Sequence, residues 1–403
     1  MMKVKNIAGH RHFWPLLFFL ALGAFAWIYE LAYGLGTTGM RGLISWGLYI
    51  CTFVFFVKLS AGGLIVASSA EVFEIEALRP LAKLGALTAA VCISLAGLSL
   101  VPDLGRPGRI FNLILHPHWR SPMMWDAVIV AVYFTFAVAE MRLMSNPTDA
   151  NRRRLRVLAF VGLPAAFALH SITAWIFGLQ VSHTFWNTAL MAPVFVVSAI
   201  LSGTALIAVI VATSQKFGGL NVAPATWQKL RGLIAISLAL DLFFMFSDYL
   251  TVLWAGVPNE VATLRMVLPG GEFSLLFWLE WVIGGLVPFV LLVSPCTRTQ
   301  VKAIVISAVL VLVGVFSFQI ELISAGMANP LIQLAPGISL GTYDPIIPVF
   351  QFRGHYAPTC VEYFIVVGLF ALGAMLLIAG HTFISGRSSA DSQNHSSEKA
   401  AHA

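Results

Sequence analysis

Four ionisable side chains inside long apolar runs of this sequence could move protons: Lys58, Asp241, Asp248 and Glu280. Burying such a group in a membrane is costly, so each is a candidate for function. On a helix, Asp241 and Asp248 would share nearly one face, about 10 Å apart along the axis. That spacing suits a proton relay running outward from the middle of the membrane. It suits equally a structural ion pair between Asp241 and Lys58, and both interpretations stay open.

A second group of residues could serve a quinol, which releases two protons together with its two electrons. Such a site needs bases or hydrogen-bond partners beside an apolar slot for the ring and tail. Tyrosine and tryptophan also form the usual belt at a membrane surface, which is the alternative for any single aromatic residue. The predicted quinone-binding residues are Tyr29, Glu30, Tyr33, Trp46, Tyr49, His116, Trp119 and His170.

The segment that joins the third and fourth apolar runs, Asp103–Trp125, concentrates basic and aromatic residues. Its beginning, DLGRP, predicts a turn in which Asp103 and Arg106 pair with each other or bond to nearby backbone, a structural role. The segment is also expected to fold back over the helices. Four apolar side chains would then be buried, namely Ile110, Phe111, Leu113 and Leu115.

The composition fixes the class of protein that carries these residues. With 59% hydrophobic and 10% charged residues and a mean hydropathy of +0.86, the chain needs lipid as the solvent for its apolar surface. Lipid leaves no partner for open backbone, so the spanning elements must be helices. We predict an all-α polytopic bundle of about ten transmembrane helices, at roughly 14–33, 45–69, 84–101, 125–144, 157–177, 188–214, 233–253, 273–293, 301–323 and 361–384.

The positive charges predict how the bundle sits in the membrane. If the N-terminus is inside, the inner segments carry 17 Lys and Arg residues and the outer segments carry 6. Because Lys and Arg collect on the cytoplasmic side, we expect both termini in the cytoplasm of a multi-pass protein of the bacterial inner membrane. The net charge of +6 then reflects this topology and lipid headgroups, and no nucleic-acid partner is expected.

Neither a metal site nor a haem site is predicted. The four cysteines, Cys51, Cys92, Cys296 and Cys360, are scattered and form no C-x-x-C pair, so we expect no iron–sulfur cluster or zinc site in this chain. Haem held between helices would need pairs of intramembrane histidines, and only His170 lies well inside a run. Any redox group other than a quinone would therefore belong to a partner.

The chain is organised as one membrane domain, 1–385, followed by a polar, small-residue tail, 386–403, which is predicted to be disordered in the cytoplasm. Three outer segments, 102–124, 254–272 and 324–360, are longer than the other links and rich in Pro and Gly. They suit ordered loops that form a docking surface for a partner.

The run SWGLYICTFVFFVKLSAGG, followed by DLGRPGRIFNLILHP and SPMMW, resembles the polysulfide reductase membrane-subunit family, also called NrfD-like or PsrC-like. The ending PTCVEYFIVVGLFALGAMLLIAG resembles the last helix of its ten-helix branch, and the resemblance covers most of the chain. It implies a haem-free, quinol-binding anchor with an iron–sulfur, ferredoxin-like partner and a molybdopterin or multihaem catalytic subunit. Described family sites use an Asn and a His on the first helix, whereas this chain offers Tyr29 and Glu30 there.

These observations favour a quinol-binding anchor subunit of a respiratory oxidoreductase. It would exchange electrons between a menaquinone or ubiquinone pool and an iron–sulfur partner on the outer, periplasmic side. The chain would be non-catalytic alone or the quinol dehydrogenase subunit of the complex, with no catalytic residue of its own. Two alternatives stay open: a proton-translocating subunit coupled to quinol chemistry, and a purely structural anchor.

Overall fold

Ten helices long and apolar enough to cross a membrane confirm the predicted bundle. The computed structural model describes residues 13–41, 44–145, 148–216, 222–329 and 356–401, with side chains to residue 382. In chain order the helices are α1 (Phe13–Tyr33), α2 (Leu48–Val72), α3 (Arg79–Asp103), α4 (Pro122–Ser145), α5 (Asp149–Gly178), α6 (Met191–Lys216), α7 (Pro224–Ala255), α8 (Ser274–Val293), α9 (Val301–Ala328) and α10 (Cys360–Ala401).

Helix α2 forms the centre of the bundle. Its most apolar stretch of 18 residues is completely buried, and it packs against α3, α5 and α6. Gly62 of α2 and Gly203 of α6 face each other so closely that a Cβ on either would collide with the other's backbone. Small residues allow this approach, as is typical of helix pairs in membranes. By contrast α1 and α4 are mostly exposed and form the lipid-facing rim.

Helix α8 departs from regular geometry in its middle. Residues Ser274–Phe277 and Val287–Val293 are α-helical, but Trp278–Leu286 forms a π-helix. Such wide turns are rare and frequently occur at functional sites, because they rotate side chains out of the α-helical register. Glu280 and Trp281 lie in this stretch.

The links between helices define two faces. The long-loop face carries the end of α1, the start of α2, the turn after Asp103 and the short helix Pro258–Val267; the terminal face carries the start of α1 and the link between α2 and α3. Helix α10 crosses the bundle over Cys360–Thr382 and stays helical to Ala401. Its last residues are polar and small and supply no apolar face to pack. The division at 385/386 into a membrane domain and a disordered tail stays a prediction.

The expected burial of the first long loop is wrong. Residues Pro107–Phe111 and Asn112–Leu115 form two short helical turns on the long-loop face. Ile110, Phe111 and Leu115 are 40%, 61% and 68% exposed, and only Leu113 is half-buried. Turns of four or five residues are too short to turn a continuous apolar stripe toward the bundle, so these side chains point outward.

Candidate functional site

A buried carboxyl group at the end of α1 anchors the first candidate site. Glu30 is only 2% exposed although most of α1 faces outward. The Tyr49 hydroxyl, at the start of α2, donates a hydrogen bond to Glu30 Oε2. Glu30 Oε1 is buried and has no hydrogen-bond partner among the residues that the structure describes. One oxygen of this carboxyl is therefore fixed, and the other is free to bind something else.

Asp103 adds a second carboxyl group to this site. It is the last residue of α3, and Glu30 and Glu362 are near enough to act on it electrostatically. Its Oδ1 is also buried without a partner in the described ranges. Arg106 points to solvent, and within those ranges no ion pair joins it to Asp103. The predicted ion pair between Asp103 and Arg106 is thus not formed.

Glu362, in the first turn of α10, differs from Glu30 and Asp103 because both of its carboxyl oxygens accept hydrogen bonds. It accepts hydrogen bonds from the Tyr356 hydroxyl (2.5 Å), the Gly39 amide (2.7 Å) and the Thr359 amide (2.9 Å). The last of these is the reciprocal bond of a capping box, which fixes the start of the helix. The Tyr356 hydroxyl accepts the Leu48 amide (2.6 Å). Burial, and then the charge of Glu362, raise the pKa of Tyr356, so its hydroxyl remains a donor.

The site therefore consists of Glu30, Tyr49 and Asp103, braced by Tyr356 and Glu362. It combines two buried acceptor oxygens that lack partners with a buried phenol. Such a set can bind the hydroxyl groups of a ligand and accept protons from them. Buried polar atoms are usually paired, and here two acceptor oxygens without a partner accompany a buried phenol.

The other predicted quinone-binding residues are dispersed. Tyr29 and Tyr33 are exposed on α1, with ring centres 4.6 Å apart. His116 and Trp119 are exposed on the long-loop face. His170 is buried in α5, where its Nδ1 lies 3.1 Å from the Ala166 carbonyl oxygen. Of this set, the structure joins Glu30 to Tyr49 by a hydrogen bond and packs Tyr29 against Tyr33 on the exposed side of α1. The functional roles of the set stay predictions.

Trp46 belongs to an aromatic cluster that sequence reasoning missed. Its ring stacks on Trp186 at 5.5 Å, and the Trp186 indole nitrogen donates to the Leu322 carbonyl oxygen (2.7 Å). His183 lies over the other side of Trp186, and its Nδ1 bonds to the Gly326 carbonyl oxygen (2.7 Å). A side chain at Gly326 would collide with the indole. The cluster locks the loop between α5 and α6 onto α9, and no local pattern signals it.

The predicted relay residues partly come together around Lys58, which is completely buried. Its ammonium group contacts Ser198 Oγ at 3.3 Å and lies over the rings of Phe195 and Phe318. Between described residues the structure forms one ion pair, Arg156–Glu74, so the alternative of a direct Lys58–Asp241 pair is not formed. A cavity of about 20 Å³ adjoins the cluster, lined among others by Ser198 and Asp241 and large enough for one water molecule.

Glu280 also lines this cavity, whereas Asp248 does not. Asp248 accepts a hydrogen bond from Thr188 Oγ1 (2.6 Å) and borders a separate pocket of about 120 Å³ at the long-loop face. Sequence reasoning did not assign Glu321 or Tyr249 to the relay. Glu321 lies beside Glu280, and the Tyr249 hydroxyl donates to Glu321 Oε1 (2.7 Å). Glu321 could have been found as a buried acid near the end of α9; Tyr249 carried no signal.

Among the described residues, no group of three or more His, Cys, Asp or Glu side chains could hold a metal ion. All four cysteines are free thiols.

Comparison with known proteins places this arrangement in a family. The family model described as polysulphide reductase, NrfD, matches residues 36–330. A Halobacterium salinarum protein described as a dimethyl sulfoxide reductase membrane subunit is 36% identical, over 92% of this chain and 89% of that protein. The Hdr-like menaquinol oxidoreductase integral membrane subunit of Archaeoglobus fulgidus is 25% identical over 89% of both proteins. A polysulfide reductase component of Wolinella succinogenes is 24% identical, over 72% of this chain and 97% of that protein.

Proposed function

Since the chain belongs to the polysulphide reductase NrfD family, we propose that it is the quinone-binding membrane subunit of a respiratory oxidoreductase complex. Relatives whose names specify menaquinol oxidoreductase and menaquinone reductase membrane subunits support a link to the quinone pool. The ten helices make it a multi-pass integral membrane protein. Menaquinone or ubiquinone would be bound without a covalent bond.

The observation that carries the proposal is the pairing of Glu30 with Tyr49 beside Asp103. A quinol hydroxyl would bind at the free Glu30 oxygen, and the second would bind on the Asp103 side. As two electrons leave the quinol for a partner's iron–sulfur cluster, Glu30 and Asp103 each accept one proton, so quinone is released and charge balances. Tyr49 holds Glu30 in place through the transfer, because its hydroxyl donates to the other carboxyl oxygen.

The exposed face of α1 offers a route for the quinone from the membrane. Phe25, Ile28 and Tyr29 precede Glu30 and are exposed, so an isoprenoid tail could lie along them while the ring reaches the buried carboxyl group. This placement suits a substrate that diffuses within lipid and has an apolar tail with a polar ring.

The long-loop face is the proposed docking surface for the iron–sulfur, ferredoxin-like partner. It presents the exposed Ile110, Phe111 and Leu115 beside Arg106 and Arg109. Exposed apolar groups rimmed by charges are typical of protein interfaces. The excess of positive charge on the terminal face supports a periplasmic position for this surface and cytoplasmic termini, in the bacterial inner membrane. A molybdopterin or multihaem subunit would complete the complex.

The test is a quinol titration of the purified complex with a menaquinol analogue. Glu30→Gln keeps the size of the side chain and its bond to Tyr49 but removes the base, so quinol oxidation should fall by a factor of about 100 or more. The matched control is Glu74→Gln, an exposed carboxyl on the terminal face. If both variants bind and oxidise quinol like the unmodified complex, the site is wrong. If neither the unmodified complex nor either variant binds quinol, the chain is a structural anchor only.

A proton relay is a second candidate function, favoured by the placement of Asp241 and Glu280 on one cavity, with Lys58 near enough to interact electrostatically with both. Lys58 could pass a proton to Asp241 through one water molecule, because Asp241 Oδ1 has no other partner in the described structure. Asp241→Asn should leave quinol oxidation by uncoupled complex intact and lower the number of protons moved per electron. Unchanged proton movement in this variant would exclude the relay.

A further inference from the structure

Glu321 and Tyr249 lie between the Lys58 cluster and the long-loop face. Glu321 is completely buried in α9 and neighbours Glu280, which borders the cavity next to Lys58. Its Oε1 accepts the Tyr249 hydroxyl (2.7 Å), and its carboxyl group lies within hydrogen-bond reach of Glu280. Tyr249 also lines the pocket of about 120 Å³, together with Asp248 and Glu260.

We propose that the Glu321–Tyr249 pair is the passage by which protons move between the Lys58 cluster and this pocket on the long-loop face. The inference deepens the proposed relay and rests on it. One proton passes in a concerted step in which Glu321, protonated on Oε2, gives that proton to the Glu280 carboxylate while its Oε1 takes the Tyr249 hydroxyl proton. Tyr249 takes a proton in turn from a hydronium ion that enters the pocket beside Asp248 and Glu260 and leaves it as water. Rotation of the Glu321 carboxyl group then brings the new proton to the side of Glu280. Tyr249 ends neutral, no bond other than O–H changes, and no electron is transferred.

The surroundings of the passage keep other routes closed. The Trp281 ring lies 5.6 Å from the Tyr249 ring and covers one side of the passage. Trp281 and Glu280 both belong to the π-helix of α8, which turns them together toward α7 and α9. Water enters a buried space only where polar partners line it, so the tyrosine hydroxyl is the polar step between cavity and pocket.

The lining of the cavity supports a passage toward the long-loop face. On the terminal side of Asp241 and Ser198, the cavity is lined by Leu201, Leu238 and Val311. Glu280, by contrast, continues from the cavity to Glu321 and Tyr249.

A purely structural role for these acids explains less. A buried carboxyl that only braces helices has its oxygens paired, as Glu362 does. Glu280 and Glu321 instead lie within hydrogen-bond reach of each other, an arrangement that needs a proton between the two carboxyl groups. One oxygen of Asp241 is buried without a partner in the described residues. Leaving such atoms unpaired costs stability, which is expected where the group must bind and release protons.

The test uses the whole complex in liposomes and compares Tyr249→Phe, Glu321→Gln and the double variant. Tyr249→Phe removes only the hydroxyl group that connects the pocket at the long-loop face with the Lys58 cluster. A quinol pulse should then move fewer protons per electron in each single variant, and the double variant should lose no more than either, because both changes block one route. The control is Asp126→Asn, a buried carboxyl bonded to Thr173 outside the passage, which should keep the full ratio.

Infrared spectroscopy supplies a readout that needs no quinol. The C=O band of protonated buried carboxyl groups shifts on transfer into D₂O, and in Tyr249→Phe this exchange should slow by about a hundredfold, as expected on losing a positioned proton-transfer group. Normal exchange and a normal proton ratio in both single variants would overturn the passage. Slowed exchange in a complex that oxidises no quinol would support the passage while refuting the proposed quinone function.

Discussion

Replacing Glu362 should lower the stability of the protein without affecting quinol binding, which would distinguish a structural carboxyl group from a reactive one. Glu362→Ala removes the acceptor of four donors: the buried Tyr356 hydroxyl, the part-buried amides of Gly39 and Thr359, and the Thr359 hydroxyl. Each donor left unpaired costs about 1–3 kcal/mol, and water entering near the surface offsets part of this. We therefore expect a loss of at least about 3 kcal/mol in the free energy of unfolding.

Thermal unfolding of the purified complex in detergent measures this effect. The midpoint should fall by roughly 3 °C or more for Glu362→Ala. Arg156→Ala is the matched control, since it removes only the exposed pair with Glu74, which contributes about 1 kcal/mol or less. The affinity of folded Glu362→Ala protein for quinol should stay within a few-fold, because Glu362 has no free oxygen for a ligand. A midpoint unchanged within error, or a lost quinol site in protein that remains folded, would refute this division of roles.

Two further predictions concern packing and docking. Gly326→Ala should lower the free energy of unfolding by about 1–3 kcal/mol, because its methyl group would collide with the Trp186 indole and overpack a tight site. The unfolding midpoint and the tryptophan fluorescence spectrum measure this effect. An unshifted spectrum would contradict the prediction. Replacing Arg106 and Arg109 by Ala should weaken binding of the iron–sulfur partner, mainly because association becomes slower and loses its salt dependence. Stopped-flow mixing of the separated subunits measures the association rate. An association rate that keeps its salt dependence would place the interface elsewhere.

The helices of this protein could be predicted from its sequence, whereas most contacts of the site could not. Apolar runs of sufficient length identify spans without any tertiary information, and all ten were found. The rarity of charge inside a span also singled out Lys58, Asp241 and Glu280, which lie near enough in the structure to interact electrostatically. In these cases a local property of the chain carries the information.

Glu362 and Trp186 show why the rest was missed. Glu362 bonds to Gly39, 323 residues away in the sequence, and Trp186 bonds to Leu322, 136 residues away. No periodicity records such contacts, and by sequence Glu362 is simply an acid near the start of a helix. The predicted burial of the first long loop was wrong for a related reason. Sequence shows that its residues are apolar, but it cannot show whether the bundle or a partner covers them.

The geometry of α2 constrains how quinol chemistry and proton movement could be connected. Tyr49 and Lys58 are nine residues apart on this helix, so they lie about 13 Å apart along its axis and on opposite faces. Tyr49 meets α1, while Lys58 meets α6. A proton from the quinol site therefore has no direct contact with the relay across the buried body of α2. If the two activities are coupled, the coupling must act through the position of α2 itself. Asp241→Asn should then leave the affinity for quinol unchanged, and a large loss of affinity in that variant would show that the two sites share more than a helix.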